Sequence, residues 1–170
     1  MIKFLVPDIY LNSVYDLDLE LLKKKNIKGI LIDLDNTLLP WNSSRIDEKM
    51  TEWLLNAKKM GFKFCIISNN RASRIKECAE KLGIPAVEGI AFKPAKRVYI
   101  KGMKILGTEK EQTAVIGDQL FTDILGAKRL GLFAILVRPL VEKEFFFTRF
   151  MRRIEAKILK RVLKKESDKN

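Results

Sequence analysis

The chain has 170 residues, a length that suits one domain with one core, and its 47% apolar content is ordinary for a globular protein. It contains no histidine and only two cysteines, which excludes His-based triads, His-ligated metals and a disulfide framework; a metal would then sit among carboxylates, which favours magnesium over zinc. The net charge of +12 points to a polyanionic partner, a nucleic acid or an anionic membrane surface, and no run approaches the roughly 20 apolar residues of a membrane span.

Residues 1–27 form a lead-in segment in which only a structural role is visible. Pro7-Asp8 interrupts the opening apolar run too early for a secretory signal and predicts a turn, so a cytosolic location is expected. Val14 to Lys25 reads as a helix, with Asn26 placed for its C-cap. Residues 28–34 then read as the first strand. Its Ile30-Leu31-Ile32 run suits a strand buried on both faces, as in a parallel sheet. Asp33 and Asp35 close it, two residues apart, and project to the same side if strand geometry persists. Such a pair can bind a divalent cation, or one carboxylate can attack while the other handles a proton; aspartates also end strands merely as turn formers.

Leu38 to Ser44 is a loop carrying Trp41, which either contacts a substrate or packs the loop. Ile46 to Met60 reads as an amphipathic helix with Met50, Trp53, Leu54 and Ala57 on one face. Phe62 to Ile67 is the next strand, with Cys65 as a core residue, and it ends in Ser68-Asn69-Asn70. Arg71 to Leu82 is a helix stopped by Gly83, and Ile84 to Val87 is a short strand or extended link. After Lys93-Pro94 a helix runs through Ile105. Thr113 to Ile116 is a strand ending in Gly117-Asp118, Leu120 to Leu130 a helix stopped by Gly131, and Leu132 to Val137 the last strand. Strands alternating with helices predict a doubly wound parallel α/β sheet, with ligands at the strands' carboxyl ends.

Four pieces of this pattern resemble, in order, the motifs of the haloacid dehalogenase (HAD) superfamily of phosphohydrolases: Asp33-Leu34-Asp35-Asn36-Thr37, Ser68, Lys93-Pro94, and Gly117-Asp118 through Asp123. The resemblance covers residues 28 to 137. It implies that Asp33 attacks phosphorus and that Asp35 is the general acid and base. It also implies that Ser68 binds phosphate and that Lys93, rather than its neighbour Lys96, neutralises charge beside the nucleophile. Mg²⁺ would be held by Asp33, the Asp35 backbone carbonyl and Asp118, with Asp123 a ligand or a close neighbour. Thr37, Asn69 and Arg71 are further candidate substrate contacts, and Asn70 a plausible one.

Only 32 residues separate Asp35 from Ser68, and 24 separate Ser68 from Lys93. Neither gap holds a cap domain, so an open site is expected, suited to a phosphate that projects from something large. Residues 1–140 then form the phosphatase domain, and 141–170 a basic amphipathic helix. Between Phe145 and Lys165 there are eight Lys/Arg against one acid, Glu155, and Phe147, Phe150, Met151, Ile154 and Ile158 share one helical stripe. That composition fits a helix lying on an anionic membrane; packing on the sheet or on a partner helix is the alternative.

Together with Pro7-Asp8-Ile9-Tyr10 and Leu39-Pro40-Trp41, the chain resembles the bacterial YqeG family of capless HAD phosphatases, which is similar to the mitochondrial phosphatidylglycerophosphate phosphatases. The resemblance implies hydrolysis of phosphatidylglycerophosphate to phosphatidylglycerol by a peripheral membrane enzyme. The competing readings are a phosphatase of nucleic-acid ends or phosphoproteins, and an RNA- or ribosome-associated binding protein on the same scaffold. Oligomerisation is compatible with each.

Overall fold

The computed structural model describes residues 2–41, 43–89 and 92–141. The expected C-terminal helix, residues 141–170, lies outside the described residues from position 142 onward. Five parallel strands form one sheet: β1 (Ile9–Leu11), β2 (Gly29–Ile32), β3 (Lys63–Ile66), β4 (Thr113–Gly117) and β5 (Phe133–Val137), in the order β1-β5-β4-β2-β3. Helices α1 (Leu19–Lys24), α2 (Glu48–Lys59), α3 (Ala72–Leu82), α4 (Lys96–Leu106) and α5 (Leu125–Leu130) cover it.

The side-chain alternation of the central strands divides the core in two. Ile30, Ile32, Phe64, Ile66 and Ile116 point to the face packed by α1, α2 and α3. Leu31, Cys65, Val115 and Ala134 point to the opposite face, covered by α4 and α5. This is why β2 and β4 read as unbroken apolar runs: every residue in them is buried. The fold is therefore doubly wound, and its strand order reverses between β2 and β4. Among the described residues no cap domain interrupts it, because α2, β3 and α3 occupy the stretches between the first three motifs.

Three elements differ from the sequence expectation. The helix expected over Val14–Lys25 is split into a 3-10 turn, Val14–Asp16, and α1. Leu17 is extended, and Asp18 starts α1 by accepting the Leu21 N–H at 3.0 Å, a competition that local apolar periodicity does not reveal. Asn26, just past the helix end, takes the left-handed conformation. Secondly, the lead-in segment contributes β1, which pairs with β5 at the sheet edge. Three residues are too few for a period-2 signal. Tertiary ties hold the strand: the Asp8 carboxylate accepts the Ala134 N–H at 2.7 Å and pairs with Lys128 at 2.8 Å.

Thirdly, the helix expected over Leu120–Leu130 opens with a π turn, Leu120–Ile124, before α5 begins. Tyr99, fully buried on α4, donates its hydroxyl to the Thr122 carbonyl at 2.7 Å. Its ring occupies the space where a side chain at Gly126 would stand, so the two elements meet only because position 126 is glycine. Burial raises the Tyr99 hydroxyl pKa, assisted by Asp123. Elsewhere Ile84–Val87 touches the sheet through a single bridge, Ile66 to Ala86, rather than forming a full strand.

Candidate active site

Asp33 and Asp118 leave adjacent strands at the point where the strand order reverses, and the Asp33 N–H donates to the Ile116 carbonyl at 2.9 Å. The π turn carries Asp123 back over Gly117. One carboxylate oxygen from each of Asp33, Asp118 and Asp123 lies within 4.8 Å of the others, and all three residues are buried. Gly117 makes this approach possible, since a methyl group there would collide with the Asp123 carboxylate. Gly117→Ala is therefore expected to destabilise the fold by about 1–3 kcal/mol and to reduce phosphatase activity, read by thermal melting and phosphate release. Wild-type values for both would show that Asp123 is free to move aside.

Lys93 enters the cluster from the loop before α4. Its ammonium donates to Asp33 Oδ1 and, at 2.7 Å, to Asp123 Oδ1. Burial alone would lower its pKa, but Asp123 and Asp33 outweigh burial and hold it above the ordinary lysine value. Burial pushes the Asp33 carboxyl well above the usual carboxylate range; Asp123 and Asp118 add to the shift and Lys93 opposes it. Two like charges at this separation repel by roughly 3 kcal/mol at an effective dielectric constant of about 20. Three carboxylates facing one ammonium thus leave room for more positive charge. The donors are all hard carboxylate oxygens, which fits a small divalent cation such as Mg²⁺.

The other expected residues divide by position. Ser68, just past β3, lines the cleft, and its Oγ accepts the Asn70 N–H at 3.2 Å. Asn69 holds Lys93 from both sides, its Oδ1 accepting the Lys93 N–H at 2.6 Å and its Nδ2 donating to the Lys93 carbonyl at 3.1 Å. Its side chain therefore braces the lysine loop, and the residue also lines the cleft. Arg71 lines the cleft and is exposed. Thr37 is buried and is not among the residues lining the cleft. Lys96 is exposed at the start of α4, away from the buried cluster.

Asp35 stands apart from the three-carboxylate group. Its Oδ1 accepts from Arg74 at 2.6 Å and its Oδ2 from Asn70 at 2.7 Å. The expectation of Asp35 as a metal ligand therefore rests on its backbone carbonyl, since the carboxylate turns toward Arg74. Arg74 itself escaped the sequence reading. It also donates to the Ser43 carbonyl at 2.9 Å and to Ser44 Oγ at 3.3 Å, tying the loop after β2 to α3. Only its place in the first turn of the helix after Ser68 hinted at this. The cleft, of about 790 Å³, is lined by Asp33, Asp35, Ser68, Lys93 and Arg74, with Trp41 at its margin.

Comparison with known proteins agrees with this arrangement. A family model described as mitochondrial PGP phosphatase matches residues 2–142. The probable phosphatase YqeG of Bacillus subtilis (strain 168) is 39% identical over 163 residues, which is 96% of this chain and 94% of that protein. The chloroplastic/mitochondrial phosphatidylglycerophosphate phosphatase 1 of Arabidopsis thaliana is 30% identical over 173 residues. That match takes in 96% of this chain but 49% of the plant protein, so the chain spans about half the length of that relative. Among solved structures, the cobalt-bound deoxy-D-mannose-octulosonate 8-phosphate phosphatase of Haemophilus influenzae shares the fold, with a TM-score of 0.54 and 17% identity over 81% of this chain and 90% of that one. A doubly wound sheet with its acids gathered where the strand order reverses, matched by a family model over most of its length, identifies the chain as a HAD-type phosphatase that belongs to the mitochondrial PGP phosphatase family.

Proposed function

We propose that the protein is a Mg²⁺-dependent phosphomonoesterase that acts through an aspartyl phosphate on Asp33 and converts phosphatidylglycerophosphate to phosphatidylglycerol. The observation that carries the chemistry is the buried group of Asp33, Asp118 and Asp123 around Lys93, opening onto an uncapped cleft. The lipid substrate is supported by the name of the Arabidopsis relative and by the basic, phenylalanine-rich sequence after residue 141.

Asp33, Asp118 and the Asp35 carbonyl would hold the Mg²⁺, and when bound it would neutralise charge on the phosphoryl oxygens. In the first step an Asp33 carboxylate oxygen bonds to phosphorus in line with the ester oxygen, and the phosphorus–ester bond breaks. Asp35 gives its proton to the departing alkoxide, which leaves as the glycerol hydroxyl of the lipid. In the second step Asp35 takes a proton from water, the resulting hydroxide bonds to phosphorus, and the Asp33–phosphorus bond breaks to release inorganic phosphate. Ser68 and nearby backbone N–H groups bind the phosphoryl oxygens, and Lys93 offsets the charge that gathers beside Asp33.

An open cleft suits a substrate that stays in a bilayer, because the headgroup need not be swallowed. No helix among the described residues is long and apolar enough to cross a membrane, and the proposal places the enzyme peripherally on the inner, cytoplasmic face. The test is phosphate release from phosphatidylglycerophosphate in mixed anionic vesicles, with Mg²⁺ or with EDTA. Release that requires the metal supports the proposal. Release from a soluble aryl phosphate alone would keep the enzyme and reject the lipid, and nucleic-acid ends and phosphoproteins would become the substrates to assay.

A further inference from the structure

Asn36 lies between the catalytic-site residue Asp35 and the buried Thr37, and it adopts the left-handed conformation with φ 64°. Asparagine reaches that region more readily than other residues with a side chain. The turn aims its polar groups at two segments, the nearby Trp41 loop and the distant chain at Leu140 and Val141. Its carbonyl accepts the Leu140 N–H at 3.1 Å. Its side-chain Oδ1 accepts the Trp41 N–H at 3.3 Å and the Val141 N–H at 3.4 Å. One oxygen thus holds the Trp41 loop and the chain leaving β5 side by side at the cleft margin.

The consequence concerns what stands on that margin. Trp41 and Leu140 are large apolar side chains exposed at 37% and 39%. Arg45, Arg71 and Arg138 are exposed on loops at the same, carboxyl end of the sheet. Val141 is followed by 29 residues that carry ten Lys/Arg against five Asp/Glu, with Phe145-Phe146-Phe147 at their start. Apolar anchors, a tryptophan and a surrounding excess of arginine and lysine are the elements of an anionic interface contact.

We propose that the rim built on Asn36 from Trp41, Leu140 and Val141 is a docking surface for an anionic lipid bilayer, so that the cleft mouth itself meets the membrane. The proposal rests on the lipid reading of the cleft and adds a location to it: the folded domain inserts Trp41 and Leu140 at the interface, beside the basic segment, rather than being tethered at a distance by that segment alone. The Asn36 staple fixes the distance between the attacking Asp33 and the bilayer, since residue 36 lies three positions after Asp33, in the turn that begins at Leu34.

The chain has two tryptophans, and Trp53 packs edge-on against Phe64 at 5.7 Å, away from the rim. The full-length Trp53→Phe variant therefore reports on Trp41 alone. With phosphatidylglycerol vesicles bearing bromine high on the acyl chains, Trp41 fluorescence is expected to be quenched, and neutral phosphatidylcholine vesicles are expected to quench it far less. Leu140→Glu is expected to weaken vesicle binding roughly five- to ten-fold while soluble aryl phosphate hydrolysis is unchanged. Vesicle binding without quenching of Trp41 would overturn the proposal in favour of a tail-only tether. Failure to bind vesicles, with tight binding to single-stranded RNA, would overturn it in favour of a nucleic-acid surface. Quenching without phosphate release from phosphatidylglycerophosphate keeps the rim and rejects the substrate; release without quenching does the reverse.

Discussion

Asp33→Asn is expected to lower phosphate release by about 10⁴-fold or more, to the level seen with EDTA. The amide preserves the shape of the carboxylate but lacks its negative charge, so the bond to phosphorus does not form. The variant should still fold. Lys93 keeps its 2.7 Å pair with Asp123, and the removal of one of three crowded charges relieves repulsion while one ion pair is lost. Two repulsions relieved at roughly 3 kcal/mol each offset the one closer ion pair that is lost, so the melting temperature is expected to stay near that of the wild type. The rise in melting temperature on adding Mg²⁺ should shrink, because a metal-binding carboxylate is gone. A rate within ten-fold of wild type would remove Asp33 from the nucleophile's place, whatever the metal does.

Lys93→Met is expected to affect both activity and stability. Without the ammonium, Asp33 and Asp123 face each other in a buried pocket with no cation between them. Removing one partner of a buried ion pair costs about 3–5 kcal/mol, and a domain of this size loses about 2–4 °C per kcal/mol. A fall of roughly 6–20 °C in the metal-free melting temperature follows. Mg²⁺ should restore more of it in the variant than in the wild type, since the vacated positive charge is then supplied from outside. Phosphate release is expected to fall on the order of 10²- to 10³-fold even with Mg²⁺ present. A metal-free melting temperature within about 2 °C of wild type would show that Lys93 is not what holds the acids together.

Lys93 and Asn69 show how position and role separate. The Lys-Pro pair in the loop before α4 singled out Lys93 over Lys96, and the structure buries Lys93 against Asp33 and Asp123. Asn69 read from the sequence as a candidate substrate contact, a polar residue just after a strand. Its bracing of both backbone groups of Lys93 joins residues 24 positions apart, and no local pattern encodes such a contact. The same holds for Arg74 and Asp35, which are 39 positions apart. Arginine on the first turns of an amphipathic helix usually faces water, and nothing in the local sequence marks Arg74 as an exception.

What the sequence determined by itself was the order of strands and helices, the parallel sheet and the placing of Asp33, Ser68, Lys93 and Asp118 at strand ends or in the loops that follow. Those features rest on apolar runs, period and turn chemistry, which act within a few residues. What only the tertiary structure decided was the edge strand β1, the π turn before α5, the brace on Lys93, the burial of Thr37 and the Asn36 staple. Each depends on a partner far along the chain: Ala134 for Asp8, Tyr99 for Thr122, Val141 for Asn36. A part-buried hydrogen bond between distant residues or a close backbone approach fixes the geometry there, and neither leaves a periodic trace in the residues that make it.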